Sequence, residues 1–210
     1  MIIGGRAIDV IILAGGKNSR MEGRFKGSLA FRNEVFLESI VKSVQDRESN
    51  IFLSYASEEQ AKIIPDGCTV IYDTVQGIGP LGGLISGLEA CSTEYAAVCA
   101  CDMPLISPAL YQFLWDHMTI TPDGRPVDVI MPRTEDGFHP LAALYRRDLL
   151  PALKDAVRRG ERKLLRILQN LNTVTVEIMP LSPFELEVTN INTVSEYAAL
   201  IESDPFRPES

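Results

Sequence analysis

The stretch Ile8-Asp9-Val10-Ile11-Ile12-Leu13 runs directly into Ala14-Gly15-Gly16-Lys17-Asn18-Ser19-Arg20-Met21. A continuous β-branched run matches a strand buried on both faces, because a strand wetted on one side would alternate apolar and polar residues. Such a strand needs cover above and below. The glycine pair that ends it lets the backbone turn sharply and come close to a ligand.

The rest of the chain supplies that cover. Leu37, Ile40, Val41 and Val44 repeat at helical spacing, and Ile51–Tyr55 reads as the next strand. Ser57-Glu58-Glu59-Gln60 has the form of a capping box opening a short helix. Strands are expected at Thr69–Tyr72 and Ala96–Cys101, with a helix over Leu81–Cys91 between them. Ser107-Pro108 starts a helix through about Met118. Val127–Met131 and Leu141–Tyr145 follow as strands, then one or two helices in Leu149–Leu168 broken near Gly160. Thr173–Ile178 is a strand, and a second box, Thr193-Val194-Ser195-Glu196, opens the last helix. This alternation predicts a doubly wound α/β fold: a mostly parallel sheet with helices on both faces, in three α/β/α layers. One domain spans residues 1–203, followed by a polar tail over 204–210. In such sheets ligands bind at the carboxyl ends of the strands.

Composition narrows the class. With 210 residues, 46% hydrophobic and 23% charged, the chain can bury a core without disulfides or a structural metal. No apolar run is long enough to span a bilayer, and Asp9 interrupts the one near the N-terminus, so neither a membrane span nor a signal peptide is expected. A cytoplasmic location follows as the expectation. Cys68, Cys91, Cys99 and Cys101 form no C-x-x-C, and they read as buried thiols in a reducing compartment.

The net charge of −8 hides two basic segments. Residues 17–26 carry Lys17, Arg20, Arg24 and Lys26 against Glu22 alone, and 146–166 carry eight bases against three acids. Short basic segments on an acidic body suit a small anionic ligand, whereas nucleic acid needs a broad positive face. The second segment reads equally as a solvated helix face. After the first strand, glycines with Arg20 and Lys26 form a plausible phosphate loop, since backbone N–H groups and cations both favour phosphate oxygens. The pattern is neither G-x-G-x-x-G nor the P-loop. A purely structural glycine turn is the competing reading.

Taken in order, Leu13-Ala14-Gly15-Gly16…Ser19-Arg20-Met21…Lys26, Gly79-Pro80-Leu81-Gly82-Gly83-Leu84, Cys101-Asp102-Met103-Pro104 and Asn190-Ile191-Asn192-Thr193 resemble the signatures of nucleotidyltransferases, and among them the molybdenum cofactor guanylyltransferases. Weaker agreement appears at His139–Tyr145 and Gly160-Glu161-Arg162, so the resemblance spans residues 11 to 197. It implies a Rossmann-like nucleotidyltransferase fold and transfer of GMP from GTP to the terminal phosphate of molybdopterin, with pyrophosphate leaving. Lys26, Arg20 and Asp102 would be catalytic. Leu13, Ala14, Gly15, Gly16, Lys26, Ser54, Asp73, Gly79, Gly82 and Asp102 would bind the nucleotide. Mg²⁺ would sit on Asp102 and Asn192, and Asn190, Arg162 and Lys163 would meet the acceptor. The resemblance further implies hand-over to molybdoenzymes or their chaperones, from a monomer or weak oligomer without nucleic-acid or membrane partners.

Two of these residues have structural alternatives: Asp102 could satisfy backbone N–H groups in the turn before Pro104, and Asn192 could cap a helix. Gly16 favours GTP over CTP, because cytidylyl-transferring relatives carry alanine there, and its methyl would crowd a purine. The chain also departs from the family pattern. Glu22 and Phe25 stand where a glycine and an acid are usual, Ser54 where relatives carry asparagine, and Val194 where proline follows N-x-N-T. A cytidylyltransferase, another metabolite-phosphate nucleotidyltransferase and an impaired nucleotide-binding module are the alternatives.

Overall fold

The computed structural model describes residues 1–15, 25–118 and 124–203. The expected tail at 204–210 lies outside them. Strand β1 (Asp9–Leu13) is followed by helix α1 (Phe36–Val44), β2 (Ile51–Tyr55), β3 (Cys68–Tyr72), α2 (Pro80–Ala90), β4 (Tyr95–Ala100) and α3 (Pro108–Asp116). Then come β5 (Val129–Thr134), β6 (Gly137–Phe138), β7 (Ala142–Arg146), α4 (Leu150–Arg158), α5 (Leu164–Leu168), β8 (Thr173–Glu177), α6 (Pro183–Glu187) and α7 (Val194–Ser203).

One eight-stranded sheet runs in the order β5-β7-β4-β1-β2-β3, with β6 and β8 also paired to β5. Every β1 residue is buried, Val10–Leu13 as their apolar side chains require and Asp9 at the start of the strand. Its side chains divide between the faces. Val10 and Ile12 pack with Leu37, Ile40 and Val41 of α1 and Leu110 and Leu114 of α3. Ile11 and Leu13 pack with Leu81, Leu84 and Leu88 of α2 and with Leu153 of α4. Alternation across a strand thus builds the three layers.

The sheet is mostly parallel, with one strand reversed inside it. β7 runs antiparallel to both β4 and β5. The cause is local: only Glu135 and Asp136 separate β5 from β6, a two-residue link can join antiparallel strands but not parallel ones, and β7 follows three residues after β6 in the same direction. Two hairpins outside the main sheet, Ile2–Ile3 with Arg6–Ala7 and Ala30–Phe31 with Glu34–Val35, carry too few residues for a periodicity. The expected helix after Ser57 is a single 3₁₀ turn, Glu58–Gln60, without a side-chain cap from Ser57. Its continuation is diverted because the Tyr55 hydroxyl donates to the Ile63 carbonyl, and Pro65 then bars a helix. The second box is present: Glu196 N–H donates to Thr193 Oγ1 at 3.2 Å, and Glu196 Oε2 accepts from Thr193 N–H at 2.9 Å. The break near Gly160 separates α4 from α5, with Gly160 at φ 89°. Ser107 precedes α3 without a side-chain cap, although Pro108 fills its first turn.

All four cysteines are free thiols. Cys91, Cys99 and Cys101 are buried, and burial pushes their pKa values up, as inert core thiols require. Among the described residues no helix is long and apolar enough to cross a membrane.

Candidate active site

The carboxyl ends of β1, β2 and β4 converge on one edge of the sheet. Ala14 N–H donates to the Ser54 carbonyl at 2.8 Å and Cys101 N–H to the Leu13 carbonyl at 3.0 Å, so the three chain segments remain laced beyond their strands. Gly15 passes close under β2: a methyl there would stand 3.2 Å from the Ala56 nitrogen. Gly16 and Arg20 lie outside the described residues, as does Glu22.

Lys26 returns to this edge on a single 3₁₀ turn, Lys26–Ser28. Phe25 packs its ring against Tyr55 at a centroid distance of 5.9 Å. It therefore fixes the start of the Lys26–Ser28 turn against a core ring. The Lys26 ammonium donates to Asp102 Oδ2 at 2.7 Å and to Asn192 Oδ1 at 2.6 Å. Asn190 Nδ2 donates to the other carboxylate oxygen, Oδ1, at 2.6 Å. Ile191 N–H donates to the Asp102 backbone carbonyl at 2.9 Å, splinting residues 190–192 along the end of β4. Four residues from three distant parts of the chain thus form one polar cluster. The described partners of the Asp102 carboxylate are side chains, not the N–H groups of its turn. Asn192 offers its side chain to Lys26, while Glu196 takes its backbone N–H at 2.6 Å. Helix capping falls to Thr193 and Glu196 instead.

Two cavities flank the glycine loop. One of about 150 Å³ is lined by Leu13, Ala14, Gly15, Lys26, Asp102 and Asn190, among others. The second, of about 550 Å³, shares Leu13, Gly15 and Pro80 with it and extends over Ser54, Asp73, Gly79 and Gly83. Ser54 is buried, and its hydroxyl donates to Asp73 Oδ1 at 3.0 Å. Burial raises the Asp73 pKa, and the Ser54 hydrogen bond opposes that rise. Gly79 turns the chain into α2 at φ 62°, where an L-residue would be strained. A methyl at Gly82 would sit 2.6 Å from the Val75 carbonyl, and one at Gly83 would sit 2.9 Å from Ser54 Oγ. Both glycines therefore let α2 lie against Asp73.

The expected nucleotide residues Leu13, Gly15, Ser54, Asp73 and Gly79 all line the larger cavity, which adjoins the smaller one lined by Lys26 and Asp102. Arg162 and Lys163 line neither cavity. They lie between α4 and α5, where the Arg162 guanidinium donates to the carbonyls of Val157 and Glu161. Sequence reasoning does not assign Gln60, Gln76 or Leu141 to the site, although they line the cavities: Gln60 reads only as part of a capping box, Leu141 as the start of a strand, and Gln76 stands in a turn with no motif around it.

The donor set matches a hard cation. Among the described residues no three His, Cys, Asp or Glu side chains gather as a metal site. A carboxylate and an amide oxygen both already grip the Lys26 ammonium, so this corner is built to hold positive charge. Mg²⁺ binds through one or two protein oxygens and completes its shell with water and phosphate oxygens.

A model of the MobA-like NTP transferase domain matches residues 10–174, which contain β1 through the start of β8. The chain belongs to the MobA-like NTP transferase family. A probable molybdenum cofactor guanylyltransferase from Clostridium perfringens is 32% identical over 195 residues, covering 90% of this chain and 94% of that one. A molybdenum cofactor guanylyltransferase from Yersinia pseudotuberculosis is 29% identical over 171 residues, covering 81% and 84%. The crystal structure of molybdopterin-guanine dinucleotide biosynthesis protein A from Archaeoglobus fulgidus superposes with a TM-score of 0.73 at 24% identity, covering 93% of this chain and 97% of that one. That superposition shows a shared fold. As a family member, this chain carries a nucleotidyltransferase domain.

Proposed function

We propose that the protein transfers GMP from GTP to the terminal phosphate of molybdopterin, with Lys26, Asp102 and Arg20 as the charged machinery. The observation that carries this reading is the Lys26–Asp102–Asn192 cluster beside a nucleotide-sized cleft at the carboxyl ends of the parallel strands. The guanine-type relatives, similar over most of the chain, support the choice of base and acceptor.

The chemistry balances without a general base. An oxygen of the acceptor phosphate, already anionic, forms a bond to the α-phosphorus of GTP. The bond from that phosphorus to the bridging α–β oxygen breaks, and pyrophosphate departs with the electron pair. Negative charge therefore crowds the site, and positioning plus charge neutralisation are the work the protein must do. Lys26 can leave its two oxygen partners and reach phosphate oxygens. The cleft over Asp73 and Gly83 holds the base and ribose and so aligns the α-phosphorus. Asp102 and Asn192 would hold Mg²⁺, which supplies Lewis-acid neutralisation of phosphate charge.

Purified protein supplied with molybdopterin should be tested against GTP, CTP and ATP, with and without Mg²⁺, by product mass and pyrophosphate release. A guanine dinucleotide product only with Mg²⁺ is the expected result. A cytosine product would move the protein to cytidylyl transfer. Nucleotide binding without pyrophosphate release would mark an impaired module.

A further inference from the structure

The chemistry of the four-residue cluster fixes which atom of each amide faces which partner. An ionised carboxylate only accepts hydrogen bonds, and an ammonium only donates. Asn190 must therefore present nitrogen to Asp102 Oδ1, at 2.6 Å, and Asn192 must present oxygen to Lys26, at 2.6 Å. Asn192 Nδ2 is then left to donate, and it finds the Asn190 backbone carbonyl at 3.3 Å. Asn190 thus sets the orientation of both candidate metal ligands, one through its side chain and one through its backbone. With Oδ1 tied down, the Asp102 carboxylate directs Oδ2 toward the cation position, where the Lys26 ammonium lies at 2.7 Å.

We propose that Asn190 is a positioning residue that holds Asp102 with one carboxylate oxygen facing the bound cation, rather than a contact to the acceptor phosphate. The proposal rests on the reading of Asp102 as a metal ligand. One of the two N–H donors of the Asn190 amide is held by Asp102 Oδ1, so the carboxylate sets the orientation of the amide, and the other polar atom of that side chain is an oxygen, which repels a phosphate anion. Partners that orient a metal-binding side chain from outside govern metal affinity even though they never touch the metal.

Mn²⁺ provides the probe. Its dissociation constant is measured by electron paramagnetic resonance on the full chain, in the presence of a non-hydrolysable GTP analogue. Asn190→Ala and the nearly isosteric Asn190→Leu should weaken Mn²⁺ about tenfold. The analogue's affinity in metal-free buffer and the KM for molybdopterin should stay at wild-type values. Asn190→His keeps an N–H near the amide position and should recover most of the Mn²⁺ affinity. Asn190→Leu preserves the packing, so it decides the matter if the alanine variant fails to fold. Unchanged Mn²⁺ affinity with a raised molybdopterin KM would overturn the role and make Asn190 an acceptor contact. Wild-type protein that binds the analogue without reference to Mn²⁺ would overturn the metal assignment itself, and the role of Asn190 with it.

Discussion

The central strands carry a buried aspartate at each end of the sheet, and the two are treated oppositely. Asp9 begins β1 at the amino edge and is fully buried. Its Oδ1 accepts from the backbone and side chain of Asn50, and its Oδ2 from the N–H and hydroxyl of Ser92 and the N–H of Thr93. Burial opposes its ionisation, yet the backbone donors of Ser92, Asn50 and Thr93 outweigh that and hold its pKa below the ordinary value. Asp102 follows β4 at the carboxyl edge and borders a cavity. Its partners are a lysine on a short turn and an amide on the segment before α7. Donors fixed in the scaffold make a structural acid. Donors on movable side chains, beside open space, make one that can change partners.

The largest expected effect separates the two on function. Lys26→Ala and Asp102→Asn should each lower turnover by about 10²–10³-fold, in line with removing one preorganised charge-stabilising group. Both variants should remain folded, checked by the urea midpoint, because the site borders a cavity that water can enter. Steady-state rates near wild type would erase the distinction.

Asp9→Ala should do the reverse. It strands several donors in a closed site and should cost about 3 kcal/mol of stability, a fall of about 6–12 °C in Tm, while the folded fraction still binds GTP. Loss of GTP affinity without loss of Tm would show that the amino edge is not merely structural.

Two glycines of α2 sharpen the contrast on a smaller scale. A methyl at Gly87 would stand 2.5 Å from Ile11 in the core, whereas one at Gly83 would meet Leu13 and Ser54 at the cleft. Gly87→Ala should lower stability by about 1–3 kcal/mol through overpacking. Gly83→Ala should in addition weaken GTP binding, which thermal shifts at matched nucleotide concentrations would reveal.

The smallest effect is in pH. The Asp9 pKa lies below 3.8, so its contribution is present above that value and is lost as pH falls through the lower folded pKa. The Asp73 pKa is raised above 3.8 by burial, so its contribution is present below 3.8 and is lost as pH rises through the folded pKa. Urea midpoints across about pH 3–6 should therefore lose their acid-side decline in Asp9→Asn and gain stability toward neutrality in Asp73→Asn. Parallel curves for both variants would contradict these opposite shifts.

Much of this was legible along the chain, since the local physics is strong there. The apolar Val10–Leu13 run, the helical spacing of Leu37 to Val44 and the Thr193–Glu196 box each specify an element from within a few residues. The reversed β7 was not legible as such. Apolar runs look alike in either direction, and only the short link from β5 forces the antiparallel pairing. Phe25 reads in sequence as a departure near a phosphate loop, and in three dimensions as a ring on Tyr55. The role of Asn190 was equally hidden, because 88 positions separate it from Asp102.

By itself, then, the sequence determined the layered α/β architecture and the residue types gathered for phosphate chemistry, because burial period, caps and glycine turns act over short range. Tertiary structure alone decided the partners: that Lys26 lies between Asp102 and Asn192, that Asn190 ties down one carboxylate oxygen, and that Asp9 is sealed while Asp102 borders a cavity. Those are contacts between segments that only the closed sheet brings together. Their chemistry depends on distance and desolvation, which a linear pattern does not encode.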